Sequence, residues 1–418
     1  MALEIRTVGE AEAERYTRAI TRAFGDDPQD GEDDRLRQVL GLDRTHAAFD
    51  GDEVVGTIGS YRMSMPVPGG ADLPTAGLTR VSVAATHRRQ GILTELIGTH
   101  FDHAIGAGEP VSILWASEIP IYSRFGYGQA TTIVQATLDA RVAGLERPAT
   151  PDRLSIMEAE AAAELLPGIH EEARRRHPGR FARNDAWWEH RVLPDHEWMR
   201  EGQSTRRYVV AHRDDRPVGY VLYRQKSHWT DNDLPEGTTH VVEFAAVDDL
   251  AEHTLWFYLS SIDLFPHVKA WTIPPDTILP WLAGNARAIG LAHSDGIHLR
   301  VLDPEAALSA RRYDRAGRVV FEVMDRSARA APDDRPFRTS IAGTYALDVA
   351  DDGTASCART EDEPTVRVST LGLGAAYLGE VATAGLRQAG HLVGDDDAVG
   401  TFSRTFSWPV APWCPEGF

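Results

Sequence analysis

One stretch decides the predicted fold: Leu78-Thr-Arg-Val-Ser-Val-Ala-Ala-Thr-His-Arg-Arg-Gln-Gly-Ile-Leu-Thr-Glu-Leu-Ile97. Its first part alternates between polar and apolar side chains, with Val81 and Val83 as the apolar members, as expected for a strand. After Gly91 the apolar residues recur at three- and four-residue spacing, which is typical of one face of an amphipathic helix. The stretch therefore predicts a strand that continues into a helix through a short basic loop, residues 88–91.

The basic loop has the properties of an anion site. A helix N-terminus presents unpaired backbone N–H groups and the positive end of the helix dipole. Arg88 and Arg89 add positive charge, and Gly91 has no Cβ to keep a diphosphate away from the backbone. An ordinary basic helix start has the same composition and stays an alternative. The loop has neither the Gly-Lys-Ser/Thr of a Walker loop nor the three glycines of a dinucleotide fingerprint.

The spacing Arg88-x-x-Gly91-x-Leu93 resembles the pyrophosphate loop of GNAT acyltransferases. In that family acetyl-CoA docks on the loop between the fourth strand and the third helix. The family usually has Gly or Ala where this chain has Leu93. The strand before the loop and the helix after it agree with the resemblance, which implies acetyl-CoA as the ligand.

Length and composition restrict the class of protein. The 418 residues predict roughly three domains at about 150 residues each. The net charge of −19 argues against a nucleic-acid or anionic-membrane partner and favours a cationic one, although acidity can also serve solubility alone. The N-terminus has no signal-peptide core, and no apolar run reaches the length of a membrane span. The two cysteines, Cys357 and Cys414, lack metal-ligand spacing, so we expect a cytoplasmic protein without a disulfide framework or metal site.

Residues 1–145 are predicted to form the first domain. The apolar patterns give the order strand, helix, three strands, helix, strand, helix, strand, which is the order of a GNAT domain. The basic loop falls at the expected corner between strand and helix. The acidic run at residues 26–34 is predicted to be a solvated loop.

Residues 146–294 repeat this order, and we interpret them as an internal duplication of the first domain. A strand is predicted at residues 153–157, a helical stretch at 158–176 and a hairpin around 213–216. A further strand is predicted at residues 241–247, and a helix from residue 255 onward. At the corner between strand and helix, the acidic sequence Asp248-Asp-Leu-Ala-Glu252 replaces the basic one. Because carboxylates facing a diphosphate would repel it, the second copy is predicted to be degenerate and to bind no CoA.

Residues 295–418 are predicted to form a third domain of α+β type. It begins with a strand at 296–302 and a helix capped by Asp303, with Pro304 at the first helical position. Further strands are predicted at residues 318–324, 343–349 and 354–359. Helices are predicted at residues 371–386 and 397–406. A run of strands followed by a run of helices favours an α+β layer.

Acetyl transfer from a thioester to an amine needs a donor site, stabilisation of the oxyanion and an acid for the departing thiolate. The backbone N–H groups of Val81 and Val83, on a strand edge that separates from its neighbour, are the predicted oxyanion and pantetheine partners. Tyr122 is the predicted acid, because a phenol with a reference pKa of about 10 can protonate a CoA thiolate. The same spacing also fits a tyrosine that only packs beside Phe125.

The C-terminal segment, Trp408-Pro-Val-Ala-Pro-Trp-Cys-Pro-Glu-Gly-Phe418, is predicted to dock on the protein. Its aromatic residues and prolines limit the entropy that is lost when a chain end becomes ordered. Burial of the Phe418 ring would place the α-carboxylate at a fixed position. A tail that merely closes a core is the alternative.

Four features together resemble the Eis (enhanced intracellular survival) family of actinobacterial N-acetyltransferases. They are the basic loop, the segment Ser117-Glu-Ile-Pro-Ile-Tyr-Ser-Arg-Phe-Gly-Tyr-Gly128, the doubled GNAT order and the terminal Phe418. The resemblance covers the whole chain. It implies a catalytic GNAT domain, a degenerate GNAT domain and a sterol carrier protein-like domain, assembled into a homohexamer.

The resemblance also implies roles for individual residues. Tyr122 takes the proton-donor position, and the Phe418 carboxylate takes the proton-acceptor position. Phe24 and Asp26 fall where the family lines its amine pocket, and Glu416 is the nearest acid to the chain end. The acetyl-CoA contacts fall on Val81, Ser82, Val83, Arg88, Arg89, Gln90, Gly91, Ile92, Leu93, Thr94, Ser117 and Glu118.

The basicity of the C-terminal carboxylate and two differences from the family pattern bear on which amine the enzyme accepts. An α-carboxylate with a reference pKa of about 3.5 is a weak base for an ammonium, so its expected work is to position the amine and relay its proton. Family members often have an aromatic residue where this chain has Arg80, and a cation there could repel a polyamine or narrow its pocket. The family's penultimate acid is replaced by Gly417.

Three functions stay open from the sequence. The leading prediction is an acetyl-CoA-dependent N-acetyltransferase that acts on primary amines of aminoglycosides or similar polycations. The second keeps this chemistry but takes a lysine ε-amine of a protein or peptide as the acceptor. The third is a lipid or sterol binding protein whose first domain is a relic acyltransferase.

Overall fold

The computed structural model describes residues 3–27, 36–325, 340–380 and 382–418. Unit one contains Met1–Thr131, Gly296–Pro409 and Glu416–Phe418, and unit two contains Thr132–Asp295 and Val410–Pro415. Most of the acidic run that was predicted to be a solvated loop lies outside the described residues, at 28–34. Within the described ranges, none of the helices combines the length and the apolar character of a membrane span.

Unit one contains a sheet of seven strands. Numbered in chain order, the strands are β1 Glu4–Thr7, β2 Thr45–Asp50, β3 Glu53–Pro66, β4 Asp72–Val83, β5 Val111–Trp115, β6 Gly128–Gln129 and β14 Ile297–Val301. They are arranged in the order β1-β2-β3-β4-β5-β14-β6. β4 and β5 form the parallel pair, and the other neighbours are antiparallel. The helices of this part are α1 Ala13–Phe24, α2 Ile92–Gly106 and α3 Ile119–Ser123.

Two glycines of β3 make room for the helices that pack on opposite faces of this sheet. A Cβ on Gly56 would stand 2.8 Å from the Cγ2 atom of Ile92 in α2. A Cβ on Gly59 would stand 3.2 Å from the hydroxyl oxygen of Tyr16 in α1. Because side chains alternate along a strand, these two glycines lie on opposite faces. Both helices therefore approach the sheet more closely than a side chain would permit.

Unit two contains a second sheet of seven strands. The strands are β7 Thr132–Asp139, β8 Arg153–Met157, β9 Arg207–Arg213, β10 Arg216–Lys226, β11 Thr238–Ala246, β12 His267–Ile273 and β13 Ile289–Asp295. The helices are α4 Ala140–Ala143, α5 Ala159–Ala173, α6 Asp185–Trp187, α7 Asp249–Ser260 and α8 Leu279–Leu282. The sheet order is β13-β7-β12-β11-β10-β9-β8, with β11 and β12 as the parallel pair. The run from β8 to β12 repeats the run from β1 to β5, as the predicted duplication requires.

Two strands belong to different sheets from those that the sequence predicted. β7, which was assigned to a first domain ending at residue 145, pairs with β12 and β13 in unit two. β14, which was predicted to open the third domain, pairs with β5 and β6 in unit one. The predicted boundary at 145 therefore differs from the structure, in which unit two begins at Thr132. Periodicity identifies a strand but does not specify the strand with which it pairs.

The C-terminal part of unit one has its own sheet of five strands. They are β15 Gly317–Met324, β16 Gly343–Val349, β17 Ala355–Arg359, β18 Val366–Ser369 and β19 Leu392–Val393, in the order β17-β16-β15-β18-β19. The helices are α9 Pro304–Ala310, α10 Thr370–Ala376, α11 Thr383–Gln388 and α12 Asp396–Phe406. The single helix predicted at 371–386 is wrong, because the chain turns between α10 and α11 at Gly379, which has a φ of +107°.

Two further glycines let α10 lie directly on the backbone of the first sheet. A Cβ on Gly128 of β6 would stand 2.0 Å from the carbonyl oxygen of Leu371 in α10. A Cβ on Gly374 of α10 would stand 2.0 Å from the carbonyl oxygen of Leu299 in β14. The C-terminal part of unit one therefore packs against the first sheet at a distance that only glycine permits.

Replacing Gly128 with Ala should destabilise unit one by about 3 kcal/mol, because the added methyl group meets backbone rather than a flexible side chain. Urea unfolding followed by intrinsic fluorescence measures the change. Gly106→Ala is the matched control, because a Cβ at this position in α2 meets nothing within 4 Å. Equal unfolding midpoints for the two variants would contradict the close approach of α10.

Candidate active site

The parallel strands β4 and β5 separate where β4 approaches the basic loop. Their shared register covers Thr75–Gly77 of β4, opposite residues 111–113 of β5, and ends there. β4 continues to Val83 and remains hydrogen-bonded to β3 along its other edge. The backbone from Leu78 to Val83 therefore has one edge that faces an opening in the sheet, as the sequence predicted.

A β-bulge lies on β4 within this opening. The register between β3 and β4 shifts between Thr57 and Gly59, which leaves Arg80 in the bulge. Arg80 has a φ of +52°, a region that costs a non-glycine residue on the order of 1 kcal/mol or more. The Thr57 hydroxyl donates a hydrogen bond to the Arg80 carbonyl oxygen at 2.8 Å and holds the bulge in place.

The basic loop joins β4 to α2 as an exposed turn. Arg88, Arg89 and Gln90 are all exposed. Arg89 and Gly91 have positive φ values of +64° and +82°. Glycine adopts a positive φ without steric cost, so Gly91 avoids the backbone strain that a residue with a side chain would have there. Gly91 is the N-cap of α2, and the buried Ile92 begins the helix. The two arginines therefore immediately precede a helix N-terminus, which is the arrangement that binds phosphate.

Tyr122 lies in α3, just after β5, and its side chain is buried. Its ring meets the ring of Tyr127 edge to face, with centroids 6.3 Å apart. Burial raises the pKa of Tyr122, and a hydrogen bond with Ser117 partly opposes that shift. The phenol is therefore protonated at neutral pH and can act as an acid. Ser117 and Glu118, the other predicted contacts in this segment, are exposed.

The segment after Tyr122 is held by the buried Arg300 of β14. Arg300 donates a hydrogen bond to the Phe125 carbonyl oxygen at 2.7 Å and another to the Asp325 carboxylate at 3.2 Å. Gly126 has a φ of +81°, and a Cβ there would stand 2.1 Å from a guanidinium nitrogen of Arg300. This contact gives a physical reason for the glycine in the Arg-Phe-Gly-Tyr-Gly sequence.

The C-terminal residues Glu416–Phe418 contact β5 and β3, the two strands that flank β4. Trp115, the last residue of β5, donates a hydrogen bond to the Glu416 carbonyl oxygen at 2.6 Å. On β3, the ring of Tyr61 meets the ring of Phe418 edge to face at 6.2 Å. Tyr61 pairs with Gly77, the last residue of β4 that is also paired with β5. The predicted docking of the tail end is therefore present, and Glu416 is buried by it.

The predicted amine-pocket residues Phe24 and Asp26 lie at the end of α1. Phe24 is the last helical residue and is 54% exposed. Gly25 ends the helix in a left-handed conformation, and the Asp26 N–H donates a hydrogen bond to the Thr21 carbonyl oxygen at 2.9 Å. Within the described residues, neither Phe24 nor Asp26 makes a polar or ring contact with the C-terminal tail.

In unit two, the corner between β11 and α7 is occupied by the protein's own carboxylates. Asp248 accepts a hydrogen bond from the first turn of α7 at 2.9 Å and pairs with Arg213 at 2.7 Å. Asp249 forms an ion pair with Arg176, which also contacts the buried Glu252 at 3.3 Å. Burial raises the pKa of Glu252 to about 7. The anion position of this helix is thus filled by Asp248, which supports the prediction that the second copy binds no CoA.

Trp413 lies at the gap between β11 and β12 in unit two. These parallel strands pair over Thr238–Val241 of β11, which then continues to Ala246. The buried Trp413 donates a hydrogen bond from its indole N–H to the Thr272 hydroxyl of β12 at 2.9 Å. The position in unit two that corresponds to the opening beside β4 therefore holds an aromatic side chain.

Comparisons with known proteins agree with this geometry. Two profiles described as acetyltransferase (GNAT) domains match residues 4–130 and 179–301, and a sterol carrier protein domain matches residues 304–415. The N-acetyltransferase Eis of Mycobacterium tuberculosis is 32% identical over 348 residues, which cover 82% of this chain and 80% of that protein. The chain belongs to the Eis family.

One further relative and one solved structure match along their whole length. An uncharacterized N-acetyltransferase of Streptomyces avermitilis is 36% identical over 430 residues, covering 100% of both chains. The crystal structure of Eis1 from Mycobacterium abscessus is 30% identical and superimposes with a TM-score of 0.83 over 100% of both chains. The predicted fold class is confirmed: two GNAT domains are followed by a sterol carrier protein-like domain.

Membership in the Eis family makes this chain an N-acetyltransferase, which confirms the predicted enzyme class. A GNAT acetyltransferase fold implies an acyl-CoA co-substrate. The residues of unit one fit such a ligand, because a basic helix start lies beside the opening of β4. The corresponding features of unit two are filled by Asp248 and Trp413.

The sequence did not identify Trp115 and Tyr61 as residues that hold the tail end. A local pattern carries no signal for contacts between residues that are this far apart in the sequence.

Replacing Arg88 and Arg89 together with Ala should weaken CoA binding roughly tenfold or more, because two charge-assisted contacts to phosphate are lost. The loss should be larger at low salt, since these exposed charges are screened at high ionic strength. Isothermal titration with CoA at two salt concentrations measures both effects. Arg387→Ala in α11 is the control for removal of an exposed charge. An unchanged affinity of the double variant at low salt would place the donor elsewhere.

Proposed function

We propose that this Eis-family enzyme transfers the acetyl group of acetyl-CoA directly to a primary amine of an aminoglycoside-like, polycationic small molecule. The observation that carries the proposal is that Glu416–Phe418 contact β3 and β5, the strands that flank β4, where the pairing of β4 with β5 ends. A GNAT thioester is expected in this opening. The position of the tail supports a reaction in which donor and acceptor meet at β4.

The donor side of the proposal uses the basic loop and the open edge of β4. Arg88 and Arg89, with the N-terminus of α2, bind the diphosphate of acetyl-CoA. The backbone N–H groups of Val81 and Val83 bind the pantetheine and the thioester carbonyl oxygen. As the amine attacks, negative charge develops on that oxygen and is stabilised by these fixed donors.

Tyr122 is the proposed acid for the departing thiolate. The carbon–sulfur bond breaks as the tetrahedral intermediate collapses, and the phenol gives its proton to the sulfur. The raised pKa of Tyr122 supports this role, because the proton is present at neutral pH. The hydrogen bond from Arg300 to the Phe125 carbonyl oxygen supports a rigid position for the acid.

The Phe418 carboxylate is the proposed proton acceptor for the attacking nitrogen. Its reference pKa of about 3.5 makes it a weak base, so it holds the amine in place and passes the proton on to solvent. Two contacts limit the motion of the tail: the edge-to-face contact with Tyr61 and the hydrogen bond from Trp115.

Charge supports a cationic acceptor. The chain carries a net charge of −19, and Asp26 is exposed at the end of α1. Arg80 in the bulge of β4 opposes this preference locally, because it disfavours a second ammonium near the reacting nitrogen. The proposed acceptor therefore carries its other positive charges away from β4.

A lysine ε-amine of a protein or peptide is the second candidate acceptor. Phe24 and Asp26 are both exposed, so a large acceptor can approach the end of α1. The chemistry at Tyr122 and Phe418 is the same for both acceptor classes.

Release of free CoA thiol from acetyl-CoA tests the proposal. The reaction is followed with kanamycin, with a lysine peptide and without an acceptor. The proposal expects the fastest turnover with kanamycin. Turnover with the peptide alone would support the second candidate, and equal rates with and without acceptor would contradict both.

Replacing Tyr122 with Phe should lower kcat by roughly 10²- to 10⁴-fold, because the thiolate loses its proton donor. The affinity for CoA should stay nearly the same, since the basic loop is intact. Steady-state kinetics and CoA titration measure the two quantities. A variant with full kcat would assign the acid to another group.

Extending the chain past Phe418 with Gly-Ser should abolish turnover and leave CoA affinity nearly unchanged. The extension converts the α-carboxylate of Phe418, whose ring contacts Tyr61, into a peptide bond and adds bulk to the acceptor side. The same dipeptide added at the N-terminus is the control. Full activity of the C-terminal extension would remove the carboxylate from the mechanism.

A further inference from the structure

The proposed acid Tyr122 lies in a helix that is too short to hold its side chain in place alone. α3 has five residues, and isolated helices shorter than about 12 residues are marginal in water. The Tyr122 carbonyl oxygen accepts hydrogen bonds from the backbone N–H groups of Phe125 at 2.9 Å and Tyr127 at 3.4 Å. These bonds fix the backbone of Tyr122, so the orientation of its phenol depends on the side chains around it.

The Tyr127 ring is the aromatic neighbour of the Tyr122 ring. The two rings meet edge to face, with centroids 6.3 Å apart and planes at 81°. Tyr127 is fully buried, and both residues belong to the apolar cluster that packs between α2 and the first sheet. Because protein interiors are close-packed, the position of the Tyr127 ring restricts the orientations that the Tyr122 phenol can adopt.

Two buried polar groups hold the Tyr127 ring through its hydroxyl. The Tyr127 hydroxyl oxygen lies 2.7 Å from the Ser112 hydroxyl oxygen, which lies 2.8 Å from Nε2 of His100. Ser112 is on β5 opposite Ala76, one residue before the pairing with β4 ends, and His100 is on α2. The Tyr127–Ser112–His100 network therefore connects the ring beside the acid to β5 and to α2.

The network holds the ring without bringing a charge next to the acid. Burial lowers the pKa of His100 to about 3 and raises the pKa of Tyr127, so both groups are neutral at neutral pH. A neutral imidazole nitrogen and the two hydroxyls form these hydrogen bonds in either direction. A charge at this position would instead shift the pKa of the Tyr122 phenol.

We propose that Tyr127 is a positioning residue for acetyl transfer, because its hydroxyl, hydrogen-bonded through Ser112 to His100, fixes the ring that orients the Tyr122 phenol toward the departing thiolate. The inference rests on the proposed function, in which Tyr122 is the acid. A phenylalanine would fill the same space without a buried hydroxyl, and a buried hydrogen bond adds only about 1 kcal/mol to stability. The proposed contribution of the hydroxyl is a fixed orientation of the ring.

A double-mutant cycle tests the proposal with the full-length enzyme. The rate constant of acetyl transfer is measured in single turnovers by thiol release, with whichever of kanamycin and the lysine peptide reacts faster. Tyr127→Phe should slow the transfer roughly 3- to 30-fold when Tyr122 is present. The same change should slow it by less than about twofold in Tyr122→Phe, because no acid is left to orient.

Ser112→Ala and Tyr377→Phe complete the set of variants. Ser112→Ala interrupts the network without changing an aromatic ring, so it should reproduce both effects of Tyr127→Phe. Tyr377→Phe is the matched control, because the buried Tyr377 hydroxyl donates a hydrogen bond to the Ala307 carbonyl oxygen at 2.8 Å. It should lower the thermal midpoint and leave the transfer rate unchanged. CoA titration should give similar affinities for all variants, since the basic loop is intact.

Each outcome decides the proposal. Equal slowing by Tyr127→Phe with and without the Tyr122 hydroxyl overturns it, because the network would then act on the domain and not through the acid. An unchanged rate in Tyr127→Phe and Ser112→Ala overturns it as well. If Tyr122→Phe keeps the full rate, or no acceptor increases thiol release, the proposed function fails and this inference fails with it. A slow Tyr122→Phe without coupling to Tyr127 overturns this inference alone.

Discussion

The pairing between β4 and β5 ends at Gly77, and the elements of the proposed active site lie on the strands and connections around the opening that follows. The basic loop continues from the open strand into α2, and the Tyr122 segment follows the strand on the other side. The tail end is held by Tyr61 and Trp115, on the strands that flank β4. A pair of parallel strands that stops pairing early thus lies beside both the proposed donor loop and the proposed acceptor side.

Unit two shows what happens to the same separation when the sequence around it changes. β11 and β12 also stop pairing early, but Trp413 lies in the gap and Asp248 occupies the helix start. An aromatic residue is large enough to fill a gap between strands, and a carboxylate at a helix N-terminus satisfies the donors that would otherwise bind phosphate. The duplicated fold therefore retains its backbone arrangement, while side chains of unit two occupy the helix start and lie in the gap between the strands.

The sequence predicted the strands and helices of the site better than it predicted which strands pair with one another. The change of period at Gly91 and the basic residues before it were sufficient to locate the strand, loop and helix, because these signals are local. The sheets of β7 and β14 were not predictable in this way, since their hydrogen-bond partners lie far away in the sequence. Gly126 and Gly128 could be recognised as a motif, but their reason, the close approach of Arg300 and α10, needs coordinates.

The central claim is that the acceptor nitrogen meets the Phe418 carboxylate at the opening beside β4, with the donor thiol facing Tyr122. A crystal structure of the enzyme with CoA and an amine acceptor tests it most directly. The result that supports the claim is a distance of about 3 Å between the acceptor nitrogen and a Phe418 carboxylate oxygen, with the CoA sulfur beside the Tyr122 hydroxyl. A tail carboxylate directed away from the nitrogen, or CoA bound in the gap of unit two, would contradict it.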